Sequence, residues 1–451
     1  MNRCALYELS VEQQMTSARD NGDLTRVGPG TLMGDLMRQY WLPACLSSEL
    51  EPGAPPMRLL LLGEQLIAFR DKRGRVGIMD HRCPHRCASL FFGRAEGDGI
   101  RCIYHGWKFD AEGKCLDMPN LPPEQQFTDR VHAAAYKVVE RGGLVWTYMG
   151  PRAAPPPLPD IESLALPEHE RVMRVHQREC NWLQALEGDI DTSHFSFLHL
   201  GTLQADQVPA DSLHRFNLTD RAPHYHVKDT DWGTMYTAYR PAGNGLVYHR
   251  FSHFIFPFIT LPPDGTFADH IQAGIWVPMD DTHTMVFTFF WTKRTVSLRQ
   301  LKDGSPIPGS VSPMEFLPNG SGWHDRWRLK ANLDNDYLID RAIQEGGTYS
   351  GIQGLVAQDQ AVTESMGDVV DRSREHLAPS DRMITLTRRR LLNAARDLRE
   401  HGTVPPGVDH PEVFRQARAG AFLAPEGQDW HEAYLENLER IVGPSWPRAA
   451  E

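Results

Sequence analysis

Short runs of apolar residues, broken every few positions by Gly or Asp, fill much of the first third of the chain. "MRLLLLG", "QLIAFRD", "VGIMD" and "IRCIYHGWKFD" follow one another from Met57 to Asp110, and the same kind of text runs on to "GGLVWTYMG". Runs of this length with closely spaced turn residues predict a small antiparallel sheet. Ahead of them, "GPGTLMGDLMRQYW" (Gly28–Trp41) predicts a tight turn and then a short amphipathic helix. The pattern breaks at "PRAAPPPLPD" (Pro151–Asp160), where five prolines in ten residues predict a stiff extended linker and a domain boundary.

Beyond the linker the period alternates on a larger scale. "NWLQALEGDIDTSHFSFLHL" (Asn181–Leu200) is helical in character, and residues 221–293 return to strand text rich in Tyr, Phe, Thr and Val. From Asp334 to Gly402 the text is helical again. Its clearest segment is "SDRMITLTRRRLLNAARDLREHG", with Ser380 as predicted N-cap, Gly402 as the stop, and Met383, Leu386, Leu391, Ala395 and Leu398 as the apolar stripe. The fold class is therefore α+β: a small antiparallel β domain inserted near the N-terminus of a larger α+β domain. No internal repeat is visible.

Composition adds exclusions. The chain has 451 residues, 41% hydrophobic and 23% charged, with a formal net charge of −11. These values fit an ordinary globular protein with enough length for a sizeable core. The acidic balance argues against a broad grip on nucleic acid or anionic lipid. No apolar stretch is long enough to span a membrane, and the N-terminus lacks the apolar run of a secretory signal. The seven cysteines, Cys4, Cys45, Cys83, Cys87, Cys102, Cys115 and Cys180, are odd in number and scattered. That pattern predicts a reducing, cytoplasmic setting in which cysteines serve as metal ligands or core residues.

Four ligand-type residues are interleaved: Cys83 and His85, a gap of sixteen residues, then Cys102 and His105. In an extended segment residues i and i+2 point the same way, so each loop contributes one sulfur and one nitrogen, with Gly106 turning the chain beside the second. Two thiolates on one iron and two imidazoles on the other describe a Rieske [2Fe–2S] centre. A structural zinc site is the competing reading, and the order of ligands is wrong for common fingers.

"CPHR…CIYHGWKFD" resembles the Rieske domain of ring-hydroxylating oxygenases, in which the Arg after the first His and the Gly-Trp after the second are typical. Cys87 stands where those proteins often carry glycine and is expected to be a small buried residue rather than a ligand. A Rieske centre only carries electrons, so the long remainder of the chain is expected to use them.

The second constellation is "EGDIDTSHFSFLH", with Asp191, His194 and His199. Two imidazoles near an acid suggest part of a 2-His-1-carboxylate Fe(II) site with open positions for O₂. On an ideal helix His194 and His199 lie about 140° apart. A distortion such as a π-bulge is therefore expected near Phe195–Leu198. The third ligand must come from downstream, where Asp359, Glu364, Asp368 and Asp371 are candidates; Asp359 follows the apolar run "GLVA" and so can point inward.

The spacing from Glu187 through Asp191 and His194 to His199 resembles the mononuclear-iron motif of the same oxygenases. That resemblance implies His194, His199 and Asp359 as iron ligands. It implies Asp191 as a bridge between His194 and His105 of a neighbouring subunit, with Asn181 and Glu187 as further support. "GPGTLMGDLMRQYW" and "QDQAVTESMGDVVDRSREHLAPSD" resemble the phthalate dioxygenase group. The implied layout is an N-terminal segment (1–40) packing on the catalytic domain, a Rieske domain (41–150), the linker (151–160) and a helix-grip catalytic domain (161–451).

The resemblance also implies an oxygenase component, α-subunits only, as a homotrimer or a hexamer of stacked trimers. Electrons would come from NADH through a separate reductase with flavin and a ferredoxin-type centre. The substrate would be a small aromatic carboxylate that is hydroxylated; O- or N-demethylation of an aromatic substrate is the alternative reaction. For the carboxylate, Arg221 in "TDRAPHYH" is similar to a substrate arginine of that group, and Arg250 in "YHRFSHF" is a second candidate. Surface or salt-bridged arginines, and sheet-core roles for Tyr225, Phe254 and Phe256, are the simpler alternatives. Outside enzymology the chain would be an electron carrier or a metal-stabilised binding protein.

Overall fold

The computed structural model of the chain describes residues 16–292, 300–310 and 312–443. Cys4 and the first part of the 1–40 segment lie outside the described residues. The N-terminal part forms two sheets. Strands β1 (Trp41–Leu46), β2 (Met57–Leu61), β3 (Glu64–Arg70) and β4 (Val76–Asp80) are followed by four short strands, β5 (Arg94–Ala95), β6 (Ile100–Arg101), β7 (Lys108–Phe109) and β8 (Cys115–Asp117). With β9 (Ala135–Arg141) and β10 (Leu144–Tyr148) the long strands make an antiparallel sheet in the order β1-β10-β9-β4-β3-β2, while β5-β6-β7-β8 make the small one. Ile67, Phe69, Met79, Leu90, Ile100, Phe109 and Met118 are fully buried between them and form the floor on which the Cys/His loops stand.

The third sheet, in the C-terminal part, is larger: β11 (Arg171–Arg178), β12 (His224–Thr230), β13 (Gly233–Gly243), β14 (Leu246–Ile255), β15 (Ile259–Leu261), β16 (Gln272–Pro278), β17 (Thr284–Trp291) and β18 (Gly420–Pro425). Its order is β11-β17-β16-β15-β14-β13-β12, with β18 paired to β14. The helices are α1 (Ala18–Thr25), α2 (Leu32–Met37), α3 (Glu162–Ala165), α4 (Trp182–Ile190), α5 (Arg215–Thr219), α6 (Arg341–Gly346), α7 (Leu355–Glu364), α8 (Arg382–His401) and α9 (Trp430–Val442). Helices α4 and α8 pack on this sheet, so sheet and helices form the α+β architecture read from the sequence. Helix α8 begins one residue later than predicted: Asp381, not Ser380, holds the N-cap position, because Pro379–Asp381 forms a 3₁₀ turn first. Gly402 ends α8 at φ +70°, the left-handed stop expected of it.

The Pro-rich stretch 151–160 has no regular secondary structure, and Pro156 is buried, with its carbonyl accepting from Trp41 Nε1 at 2.6 Å. The two halves meet through backbone bonds from Leu62 N to Pro278 O (3.1 Å) and Gly63 N to Met279 O (2.8 Å). A buried Arg326–Glu49 pair at 2.8 Å adds to that junction. Phe254 and Phe256 are fully buried sheet core.

One buried carboxylate ties the C-terminal half together. Glu187, on α4, accepts from Arg388 Nε (2.6 Å) and Nη2 (2.9 Å) on α8, and from Arg372 Nη2 (3.0 Å). Burial alone would raise its pKa, but the two guanidinium groups hold it below the ordinary glutamate value. Arg388→Met would leave that charge with one partner. Breaking a buried pair in this way costs about 3–5 kcal/mol, so the variant should show a clearly lower urea midpoint than the parent.

Candidate active site

Cys83 and Cys102 sit at matching positions in two loops at the end of the small sheet. Cys87 N donates to Cys83 O (2.8 Å), and Gly106 N donates to Cys102 O (3.0 Å), so both loops turn back directly after their ligand pair. Gly106 makes its turn at φ +79°, and a Cβ there would meet Pro119 Cγ at 2.6 Å. Cys87 takes the equivalent conformation at φ +59°. Contrary to expectation Cys87 is exposed, not buried; the left-handed turn points its side chain outward, and it also accounts for a position suited to glycine.

The two thiols titrate unequally: the neighbouring Cys83 thiol and the Tyr104 and His105 amides hold Cys102 down at about 6 against the cost of burial, while Cys102 and burial push Cys83 up. The rings of His85 and His105 lie 4.4 Å apart at 71°, and His85 stacks on Trp107 at 4.3 Å. His105 Nδ1 is buried without a partner. Two adjoining sulfurs, two adjoining imidazoles and an orphaned inward ring nitrogen fit a Cys₂His₂ [2Fe–2S] cluster.

The second constellation stands at the end of α4. Asn181 caps that helix by accepting from Leu183 N (3.1 Å), and Asp191 ends it in extended backbone. Five residues, Phe195–His199, then form a π turn, closed by the five-residue bond from Leu200 N to Phe195 O at 3.2 Å. The distortion expected near Phe195–Leu198 is thus present. The wider turn brings His194 and His199 onto one face, with their Nε2 atoms 3.2 Å apart.

Asp359, on α7, completes the group: its Oδ1 lies 3.1 Å from His199 Nε2 and 3.6 Å from His194 Nε2. Bonds of about 2.1 Å at roughly 90–120° would separate ligand atoms by about 3.0–3.6 Å, so the three donors fit one divalent ion. The other acids are engaged elsewhere. Glu364 accepts from Tyr337 Oη (2.6 Å) and Glu179 N (2.7 Å), and Asp368 and Asp371 are exposed.

Each histidine is braced from behind. His199 Nδ1 meets Gln358 Oε1 at 2.7 Å, and Gln358 is itself fixed by donating to Ile352 O (2.8 Å) and Gly309 O (3.1 Å). Gln358 and Asp359 are neighbours in sequence and straddle one imidazole. His194 Nδ1 faces Asp191 Oδ2 at 3.6 Å, while Asp191 Oδ1 accepts from Ser193 N (2.7 Å) and Ser193 Oγ (2.8 Å). Burial opposes a charged His194, but the carboxylates of Asp191, Asp359 and Asp189 outweigh it and lift the metal-free imidazole to about 9.

A cavity of about 960 Å³ opens onto these three donors, within the range of small-molecule sites. Alternation along neighbouring strands builds one wall. Arg174, His176 and Arg178 of β11 pair in register with Thr288, Val286 and Thr284 of β17, and Trp276 of β16 pairs with Val286. Phe195, Phe290 and Trp276 supply aromatic surface. Asp189 also lines the cavity and hydrogen-bonds Thr260; burial raises its pKa to about 7 despite that bond.

The two candidate arginines part company. Arg221 does not line the cavity; its guanidinium donates to the carbonyls of Ser196 (2.7 Å), Gly201 (3.2 Å) and Leu203 (3.0 Å), fixing the segment around the π turn. Arg250 does line it, fully buried, with Nη1 on Thr192 Oγ1 (2.7 Å) and Nη2 on Pro263 O (3.0 Å). Sequence reasoning missed Gln358, Asp189, His176 and Arg178. The strand alternation of "RVMRVHQR" carried the signal for the last two, but nothing in the text marked which face was open.

Comparison with known proteins places the halves in families. The Rieske [2Fe-2S] domain family matches residues 40–137, and the LigXa C-terminal domain-like family matches residues 147–442. The chain is 52% identical over 433 residues to the 3-chlorobenzoate-3,4-dioxygenase oxygenase subunit of Comamonas testosteroni, covering 95% of this chain and 100% of that one. It is 37% identical to the phthalate 4,5-dioxygenase oxygenase subunit of Pseudomonas putida, covering 84% and 86%. A crystal structure of dicamba monooxygenase bound to dicamba shares the fold, with a TM-score of 0.54 at 19% identity over 80% of this chain and 97% of the other.

Gln358→Leu should leave Asp359 in place and free the His199 ring. Loss of such an orienting partner typically lowers metal affinity about 10–100-fold, a drop to be read by titrating the metal-free protein with Co(II).

Proposed function

This chain belongs to the Rieske non-heme iron oxygenases, and from that premise we propose that it hydroxylates a small aromatic carboxylate of the benzoate or phthalate class. It is an oxygenase subunit, the terminal component of a multicomponent system that takes electrons from a reductase. The observation that carries the reading is the convergence of His194, His199 and Asp359 at the cavity, in the same chain as the paired Cys/His loops. The names of the two relatives support an aromatic acid as substrate.

In this reading Cys83, His85, Cys102 and His105 hold the [2Fe–2S] cluster, and His194, His199 and Asp359 hold Fe(II). When bound, the cluster stores single electrons, originating in NADH and passed on by the flavin- and ferredoxin-type reductase, and the iron supplies reductive activation of O₂. The chain's own residues set the geometry for that chemistry. Gln358 and Asp191 keep each ring's Nδ1 occupied, so Nε2 of both histidines faces the shared point. Phe195, Trp276 and Phe290 present apolar surface to an aromatic ring and exclude water from it. The ring's position against the three donors then selects the carbon attacked. A diol or phenol product supports ring hydroxylation; formaldehyde from a methoxy or N-methyl substrate supports the demethylation alternative.

We further assign this subunit to a homotrimer, or a hexamer of two trimers, in the bacterial cytoplasm. Among the described residues no helix is long and apolar enough to cross a membrane. Exposed apolar residues support the assembly: Phe92, Ile103 and Tyr104 flank the Cys/His loops, while Phe197, Tyr349 and Met366 flank the cavity mouth. Two such different patches suit a head-to-tail ring. In that ring Asp191, which orients His194, bridges to His105 of the neighbouring subunit.

Two variants test these roles. Asp359→Ala should lose mononuclear iron and abolish substrate-dependent O₂ uptake while the visible spectrum of the cluster survives; undiminished uptake would exclude Asp359 as a ligand. Asp191→Asn should retain both metals, by iron analysis, yet cut turnover at least about tenfold. Near-parental turnover would remove the bridge.

A further inference from the structure

His176 is 4% exposed and lines the cavity, yet neither ring nitrogen has a partner. Buried polar atoms are rarely left so, since each unpaired group costs free energy. Two residues along β11, on the same face, stands Arg178, 3% exposed. Its guanidinium makes one long contact, Nη1 to Thr363 Oγ1 at 3.5 Å, and its Nε is unpartnered. Among the described residues no carboxylate lies within ion-pairing distance of it. An uncompensated buried guanidinium is more costly still than an unpaired imidazole.

Both groups therefore want an anion with hydrogen-bond acceptors, and both face the space where substrate must lie. Arg250 is the competing cation on another wall; its Nε is unpartnered as well, but both its terminal nitrogens are engaged by Thr192 and Pro263, whereas Arg178 has one long contact in all. Arg174, on the same strand, stacks over Phe290 at 4.8 Å.

Resting on the aromatic-acid reading above, we infer that Arg178 and His176 form the seat for the substrate's carboxylate. Arg178 offers its free donors to the carboxylate oxygens, and the neutral His176 ring donates one N–H beside them. Trp276, over which Arg178 lies at 5.9 Å, backs the ligand's ring. The seat shares one cavity with Asp359, since His176, Arg178 and Asp359 all line it. Anchoring the acid here would bring the adjacent ring carbons toward the three metal donors.

The test is equilibrium binding, which needs no turnover. The holoprotein is titrated with benzoate and with its neutral isostere benzamide, and the iron content of every variant is measured. The parent should prefer benzoate. Arg178→Gln should weaken benzoate by at least about 30-fold, the loss expected on truncating one partner of a buried charge pair, with benzamide binding and iron unchanged. Arg178→Lys keeps the charge without the planar fork and should fall between; it decides the matter if the Gln variant does not fold. His176→Leu should reduce the benzoate preference less than Arg178→Gln.

Unchanged benzoate affinity in the Arg178 and His176 variants, or loss of the preference in Arg250→Gln alone, overturns the inference. So does a parent holoprotein that binds no benzoate. The aromatic-acid reading fails separately: benzoate bound through Arg178, with no aromatic acid ever oxidised in the presence of reductase, would sink the oxygenase substrate assignment and leave the seat standing.

Discussion

The catalytic half depends on one backbone constraint: His194 and His199 must share a face although five residues separate them. A regular α-helix cannot do this, because five steps of about 100° leave the two side chains on different sides. The π turn from Phe195 to His199 solves it by widening the helix locally, and the Leu200–Phe195 bond closes that turn. Everything around it serves to keep the widened turn in place. Glu187 locks the preceding helix to α8 through Arg388, and Arg221 gathers the carbonyls on the far side. A turn that gives up regular hydrogen bonding is thereby held by charge at both ends.

The cavity follows from a second, simpler rule. Strands send alternate side chains to opposite faces, so β11, β16 and β17 in register make one continuous wall. On that wall the chain places basic residues among apolar ones, facing the His/His/Asp group. The α7 helix delivers Gln358 and Asp359 to the two nitrogens of a single ring. Side chains set on strands and helices are positioned more precisely than side chains on loops, which suits chemistry that depends on where a ring is held.

The Cys/His loops obey a different physics. Each is a tight reversal with a left-handed residue, Gly106 in one and Cys87 in the other, standing on a fully buried apolar floor. Their imidazoles, His85 and His105, are half-buried beside exposed Ile103 and Tyr104. Exposed apolar surface next to an electron-carrying site makes sense where another protein surface covers it.

Much of this was legible in the text of the chain. The interleaved Cys-x-His and Cys-x-x-His spacing specified both loops, because i,i+2 geometry and ligand type are local properties. The His194–His199 spacing by itself required a helix distortion, since helical angles are fixed by backbone geometry. Local text could not say which of four downstream acids reaches the histidines. Packing of α7 against α4 decided that, by turning Asp359 inward and leaving Asp368 and Asp371 at the surface. Nor could it tell a wall arginine from a bracing one: the text marks Arg221 as a candidate and passes over Arg178. Only the tertiary structure surrounds the first with carbonyls and leaves the second facing open space, because the partners of a guanidinium come from segments remote in the chain.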